Sequence, residues 1–145
     1  MPYSIDSTDR KLMLKLQHNA RITVVQLSKE LHMSAPSIRE RILRLEEQGI
    51  ITGYHAAFDD KQLNLHLTTF IMIKTERCQE FVEFCEQALE VTDLHRISGE
   101  YNYLLRIQTT SMEELVQFQE NINHLGVSKS HVSIKSIFEH RYPSF

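Results

Sequence analysis

Tryptophan is absent from this chain of 145 residues, and cysteine occurs only at Cys78 and Cys85. A separation of seven puts the two thiols on roughly one face of a helix, where a mutual disulfide is hard to close, so both read as small apolar residues. Neither a CxxC pair nor an HExxH motif occurs, and the eight histidines lack metal-ligand spacing, so no metal or other cofactor is expected. With four glycines and three prolines the chain is neither collagen-like nor of low complexity. Long apolar runs are missing too. The longest, Thr69-Phe70-Ile71-Met72-Ile73, falls far short of the roughly 18 residues that cross a bilayer, and the polar start Met1-Pro2-Tyr3-Ser4-Ile5-Asp6 lacks a signal-peptide core. A cytoplasmic protein with no membrane partner is the expectation.

An excess of positive charge is also lacking, since the net charge is −3. Its distribution is uneven. Residues 1–60 hold eight Lys/Arg and eight Asp/Glu, whereas residues 61–145 hold eight against eleven. Between Thr23 and Leu45, Lys29, Arg39, Arg41 and Arg44 outnumber Glu30 and Glu40, a local balance of +2 that suits DNA when several copies act together.

Start signals and apolar spacing predict three helices in the first 48 residues. Asp6, with Asp9 three positions on, precedes the stripe Leu12, Met13, Leu16, which gives a helix from about Ser7 to Asn19. Thr23-Val24-Val25-Gln26 is a T-x-x-Q capping box ahead of Leu27 and Leu31. Ser34 is an N-cap, Pro36 is tolerated in the first turn, Ile38, Ile42 and Leu45 form the third stripe, and Gly49 stops it. The last two helices, joined by the glycine-free His32-Met33-Ser34, have the pattern of a helix-turn-helix. Ser37, Arg41 and Arg44 lie at i, i+4 and i+7 and are expected to project together away from the core. The plainer alternative is a solvated face with Glu40 and Arg44 as an i,i+4 ion pair.

Ile50 to Tyr54 reads as a short strand leading into a linker over residues 55–66. The period then alternates: strand Thr69–Lys74, helix Cys78–Leu89, strand Asp93–Ser98, strand Tyr101–Thr109, helix Ser111–His124, strand Ser130–Phe138. Ser111-Met112-Glu113-Glu114 is a further capping box, and Ser98-Gly99-Glu100-Tyr101 supplies the middle hairpin turn. The order βαββαβ predicts a ferredoxin-like sandwich with both helices on one face. Phe70 and Met72 point one way along the first strand and Ile71 and Ile73 the other, so both sheet faces are apolar and the open one needs a cover. A partner sheet is the economical cover, with the N-terminal domain as the alternative. The expected fold class is therefore α+β: a three-helix, winged-helix-like helix-turn-helix domain over residues 1–54, a strand and linker over 55–66, and a ferredoxin-like regulatory and oligomerisation domain over 67–145.

The sequence resembles the leucine-responsive/asparagine-responsive (Lrp/AsnC) family of bacterial and archaeal transcription regulators from Asp6 to about Glu139. The resemblance is carried by Asp6-Ser7-Thr8-Asp9-Arg10-Lys11-Leu12, Asn19-Ala20-Arg21-Ile22, Leu27-Ser28-Lys29-Glu30-Leu31, Met33-Ser34-Ala35-Pro36-Ser37, the run from Arg41 to Tyr54, and Ser98-Gly99-Glu100-Tyr101-Asn102-Tyr103-Leu104-Leu105-Arg106. It implies promoter binding, pairing through C-terminal sheets into dimers, tetramers or octamers, and response to an amino acid. The family commonly carries Gly-Asp-x-Asp at the hairpin turn near the effector. Here Gly99-Glu100-Tyr101-Asn102 keeps the first charge on a longer arm and loses the second. Ser98, Gly99, Glu100, Tyr101 and Asn102 are the candidate effector contacts on that basis.

A DNA-binding regulator without chemistry of its own is thus the expected function, its partners double-stranded operator DNA, further copies of itself and an amino-acid effector. Ser34 and Ser37 are placed near base edges or phosphates and Arg41 at a base or the backbone. Lys29, Arg39 and Arg44 are assigned to phosphates, and Thr23, Pro36 and Glu40 complete the candidate interface. One alternative is an enzyme of the same architecture resembling sirohaem decarboxylases, with His95, His124, His131 and Tyr101 as substrate or proton-transfer groups; a basic helix-turn-helix would be unnecessary for it. Another is a ligand sensor that does not touch DNA.

Overall fold

Local hydrogen bonds that begin and end each helix account for much of the architecture. The computed structural model describes residues 3–145, so the polar start at Met1 and Pro2 lies outside the described residues. Helix α1 (Ser7–His18) begins with a complete capping box in which Asp6 accepts from the Asp9 amide and Asp9 from that of Asp6. Thr23 and Gln26 make the same reciprocal pair at α2 (Val24–Leu31). Ser34 caps α3 (Ala35–Glu47), with Pro36 in its first turn. Leu12, Leu16, Leu27, Ile38 and Leu45 meet as the core of this helical unit. Each fully buried side chain contributes about 1.5–3 kcal/mol of transfer free energy.

The glycine missing from the α2–α3 turn is replaced by His32, which takes the left-handed conformation itself at φ 53°. The Met33 amide donates back to the Ser28 carbonyl, and the Ser28 hydroxyl donates to the Met33 carbonyl, closing the turn from both sides. At the end of α3, Gly49 adopts φ +67° while its amide donates to Glu46 and that of Ile50 to Leu45. This is a Schellman closure. It overturns the expected strand over Ile50–Tyr54: Ile50 is the apolar residue that follows the closure and packs on the helical core, and no strand or wing forms there.

The second unit runs from Phe58 to Tyr142. It contains β1 (Leu67–Lys74), α4 (Cys78–Gln87), β2 (Val91–Arg96), β3 (Tyr103–Thr109), α5 (Met112–Ile122) and β4 (Val127–Val132). All pairings are antiparallel in the order β2-β3-β1-β4, the ferredoxin-like arrangement expected from the sequence. Ile71, Ile73, Tyr103, Leu105 and Ile107 pack against Phe81 and Cys85 of α4 and Leu115, Phe118 and Ile122 of α5. Both cysteines are free; burial pushes the Cys85 thiol up to about 11, and Cys78 is half-buried. Residues 58–66 have no regular structure, and Asp60 there accepts from Gln108 on β3 at 2.6 Å.

Two boundaries move for identifiable reasons. The last strand, expected over Ser130–Phe138, is β4 at Val127–Val132, because its ladder requires β1 as partner and the Ser133 amide makes the final bond, to Thr68. Beyond it only Leu67 of β1 remains, and Ile134 is fully exposed. At α5 the Ser111 cap holds, but the Glu114 carboxylate accepts from the amide of Thr110 rather than of Ser111, so the expected box is displaced by one residue.

Gly126 precedes β4 where the chain crosses the end of β1, and a Cβ there would lie 2.3 Å from the Lys74 carbonyl oxygen. Gly126→Ala is expected to cost about 2–4 kcal/mol, since backbone must move. Gly49→Ala faces open space and only a positive φ, for about 1 kcal/mol. Urea unfolding of both variants checks the ranking, which equal losses would contradict.

Candidate nucleic-acid interface

On α3 the core stripe Ile38, Ile42, Leu45 sets the azimuth of every other side chain. Pro36, Arg39, Glu40 and Leu43 are all exposed, Leu43 by 54%, and their i, i+3, i+4, i+7 spacing makes them one outward surface. Leu43 was not among the residues expected from the sequence. Its signal was an apolar position that the core stripe does not claim.

Ser37, Arg41 and Arg44 share a flank, as their spacing requires, but Arg41 meets the start of α1, and Arg44, though exposed, lies over the Tyr3 ring. Arg41 Nη1 donates at 2.7 Å to both Asp6 Oδ2 and Asp9 Oδ1. The Arg44 guanidinium lies 5.5 Å from the centre of the Tyr3 ring and pairs with Glu40 at 2.6 Å. The expectation that Arg41 projects freely toward DNA is therefore corrected. A helical stripe fixes direction from the axis, but two carboxylates on another helix decide what stands there. The Glu40–Arg44 ion pair is present as the plainer reading had it.

Tyr3 donates to Asp9 at 2.5 Å, so the buried carboxylate receives the tyrosine hydroxyl, the Asp6 amide and the guanidinium together. Burial pushes the Asp9 carboxyl up, but these three donors outweigh it and hold it below the usual carboxylate value. The Asp9 amide, and next the Arg41 guanidinium, lower Asp6 as well, and the same two acids raise Arg41. Tyr3 is raised, first by its bond to Asp9.

Among the remaining candidates, Ser34 and Ser37 pair with each other at 2.8 Å while Ser34 caps the helix. Thr23 is exposed and occupied with its own cap. Lys29 and Arg39 are exposed, and among the described residues neither makes an ion pair or hydrogen bond. Sequence reasoning placed Lys29 and Arg39 on phosphate duty alongside Arg44; only Arg44 is engaged internally.

The effector candidates divide similarly. Ser98, Gly99 and Glu100 are exposed in the turn between β2 and β3, with Gly99 at φ +115° and Tyr101 half-buried. Asn102 is committed elsewhere. Its Oδ1 accepts from the Thr75 amide at 2.9 Å and its Nδ2 donates to the Thr75 carbonyl at 2.8 Å, which binds the start of β3 to the end of β1. His95 and His131 stand on the two edge strands of the sheet, three strand spacings or about 14 Å apart. His124 lies beside Glu80 past the end of α5, so the histidines do not converge on a reaction centre.

A helix-turn-helix followed by an antiparallel ferredoxin-like unit defines a two-part DNA-binding regulator. Residues 5–46 match the AsnC-type helix-turn-helix domain, and residues 68–143 match the Lrp/AsnC ligand binding domain. The chain belongs to the Lrp/AsnC family, as its motifs indicated, and is a DNA-binding transcriptional regulator. It is similar to the uncharacterized HTH-type transcriptional regulator YezC of Bacillus subtilis, 38% identical over 79% of this chain and 82% of that one. The DNA-binding transcriptional activator DecR of Escherichia coli is 32% identical, covering 81% of each. A transcriptional regulator of Neisseria meningitidis, solved as a complex with L-methionine, has a TM-score of 0.89 at 27% identity over 94% of both chains. No helix among the described residues is long and apolar enough to cross a membrane.

Because Asp6 and Asp9 titrate below the ordinary aspartate value near about 3.9, their stabilisation is complete above that pH and is lost as pH falls through the lower folded values. Asp9→Asn should flatten this acid dependence below about pH 4 and cost about 1–3 kcal/mol at neutral pH. Amide exchange in α1–α3 as a function of pH measures both. An unchanged acid profile would show that the pair does not support the unit.

Proposed function

We propose that the chain recognises operator DNA with the outward surface of α3, Lys29 and Arg39 supplying its phosphate contacts. The observation that carries this reading is that these two cations, one on each helix of the motif, are exposed and, among the described residues, unpaired. Pro36 and Leu43 are then the side chains available to base edges, with Leu43 suited to a thymine methyl group, and Glu40 stands beside them in its pair with Arg44. Ser34 and Ser37 flank them, and Thr23 sits at the first-turn end of α2. Arg39→Ala and Lys29→Ala should each reduce the dependence of log affinity on log salt by about 0.9 per lost contact, doubled in a symmetric dimer. Anisotropy titrations of a footprinted promoter fragment over a range of KCl test this. Unchanged slopes for both variants would remove the proposed face.

The reading extends to self-association. On the sheet face away from the helices, Phe70 is 40% exposed and Met72 and its cross-strand partner Leu104 are half-buried, an apolar centre without a cover in the unit. A second copy, sheet to sheet, covers it and places two helix-turn-helix units on one operator. Met72→Glu in the full chain should convert the dimer or larger assembly to monomer in sedimentation, and an assembly unaffected by that charge would count against this face.

A small amino acid is the proposed effector, supported by the matched ligand-binding family and the methionine complex of the Neisseria regulator. Ser98 to Tyr101 offer exposed amides and the Glu100 carboxylate, while Asn102 holds Thr75. Calorimetry of the full chain with each of the twenty amino acids should find one that releases heat and loses it in Glu100→Gln. Heat unaltered by that substitution would move the pocket from this turn. The relatives named as transcriptional regulators support a regulatory role for this chain.

A further inference from the structure

The geometry points to Arg41 as a positioning residue that fixes the rotation of α3 through the buried Asp9, so that an acidic side chain is required for tight and selective DNA binding. This rests on the reading that α3 faces DNA. The apolar cluster that α1 and α3 share, with Leu12, Leu16, Ile38 and Leu45 among its members, sets which side of α3 turns inward but is non-directional and leaves small rotations about the axis to other contacts. The polar network is directional. One guanidinium nitrogen bridges Asp6 and Asp9 at 2.7 Å, and the Asp9 side chain is completely buried while Arg41 keeps 25% of its own exposed. Tyr3 adds a second tie three residues further along α3, its hydroxyl on Asp9 and its ring beneath Arg44.

Arg41 Nη1 cannot serve a phosphate while it holds both aspartates. Turning Nη1 toward DNA would strip the buried Asp9 of its cationic partner, and an uncompensated buried carboxylate is among the most costly arrangements a protein can hold. The residue therefore acts through the helix that carries Pro36 and Leu43. Because those side chains must meet base edges within a fraction of an ångström, a small rotation affects selective binding and leaves charge-driven, non-selective binding nearly intact.

The opposite signs of the two explanations make the test sharp. If Arg41 touched DNA, removing the negative charge of Asp9 would leave affinity unchanged or raise it. As a positioning pair, Asp9→Asn should weaken binding about tenfold. The experiment uses the full-length protein and two duplexes, one selected by the wild type from a random-sequence pool and one of scrambled sequence, titrated at several KCl concentrations. Asp9→Asn and Arg41→Ala should each lose about tenfold on the selected duplex and less than about twofold on the scrambled one, with the salt slope retained. The double variant should lose no more than the worse single, since both remove one shared interaction. Arg41→Lys, whose ammonium can still bridge two carboxylates, should recover to within about threefold of the wild type.

Should Asp9→Asn melt below the assay temperature, Asp6→Asn carries the test, because Asp6 is half exposed and its loss leaves Asp9 paired; about a threefold selective loss is expected. A slope reduced by about 0.9 per site in Arg41→Ala, together with unimpaired binding by the aspartate variants, would overturn the inference and make Arg41 a contact. Arg39→Ala in the same series separates the two ideas. If it alters neither affinity nor slope, the α3 face itself is wrong, whereas a reduced slope there with full affinity in Asp9→Asn defeats only the positioning role.

Discussion

One nitrogen atom of Arg41, shared between two aspartates, is the constraint on which the helical unit depends. It joins the capping box of α1 to the middle of α3, so the residues that begin one helix also orient another. Asp9 cannot perform the first task without the second. As the box partner of Asp6 it is drawn into the first turn of α1, and there its other oxygen is left facing the flank of α3. A carboxylate buried at that spot needs a cation, and the helical period supplies one at position 41.

The sheet unit is organised by a different junction. Thr75, where β1 ends, is bound through its amide and carbonyl to the side chain of Asn102 and through its hydroxyl to the carbonyl of Leu125. Gly126 then passes against Lys74 too closely for any side chain. Three chain segments thus converge at one end of the sheet, next to the turn that carries Gly99 and Glu100. The side chain that departs from the family's acidic pattern is the one that completes this junction. An asparagine offers a donor and an acceptor to the backbone of one residue, which a carboxylate, accepting only, could not do.

Period and caps carried most of the architecture into view before any coordinates. The three N-caps, the order βαββαβ and the division of β1 into two apolar faces follow from spacings that local geometry enforces. What escaped was decided by partners distant in the chain. Residues 134–138 have strand-like composition, yet only Leu67 of β1 is left opposite them; Ile50 and Ile51 look like strand residues, yet a left-handed glycine turns them onto the helical core. The flank Ser37, Arg41, Arg44 was legible as a flank, whereas its neighbour was not, because a helical wheel contains no second helix. Arg39 was legible as an outward cation, and Leu43 stands on the same outward surface.

This redistribution of charge bears on how an acidic protein binds DNA. Of the four cations between Thr23 and Leu45, Arg41 is neutralised by Asp6 and Asp9 and Arg44 by Glu40, which leaves Lys29 and Arg39 turned outward. Two phosphate contacts per copy would give a salt slope of only about 1.8, and two copies acting as one unit about 3.6. Attraction that weak does not hold a single helix-turn-helix on DNA at physiological salt. Affinity has to come from doubling the contacts and from the fit of α3 to base edges, and both demand geometry: a second copy held by the sheet unit, and a recognition helix that does not rotate. On the proposed reading the Arg41 pairs give up electrostatic attraction to obtain that rigidity, so selectivity is gained from the same arginine whose charge is withheld from the phosphates.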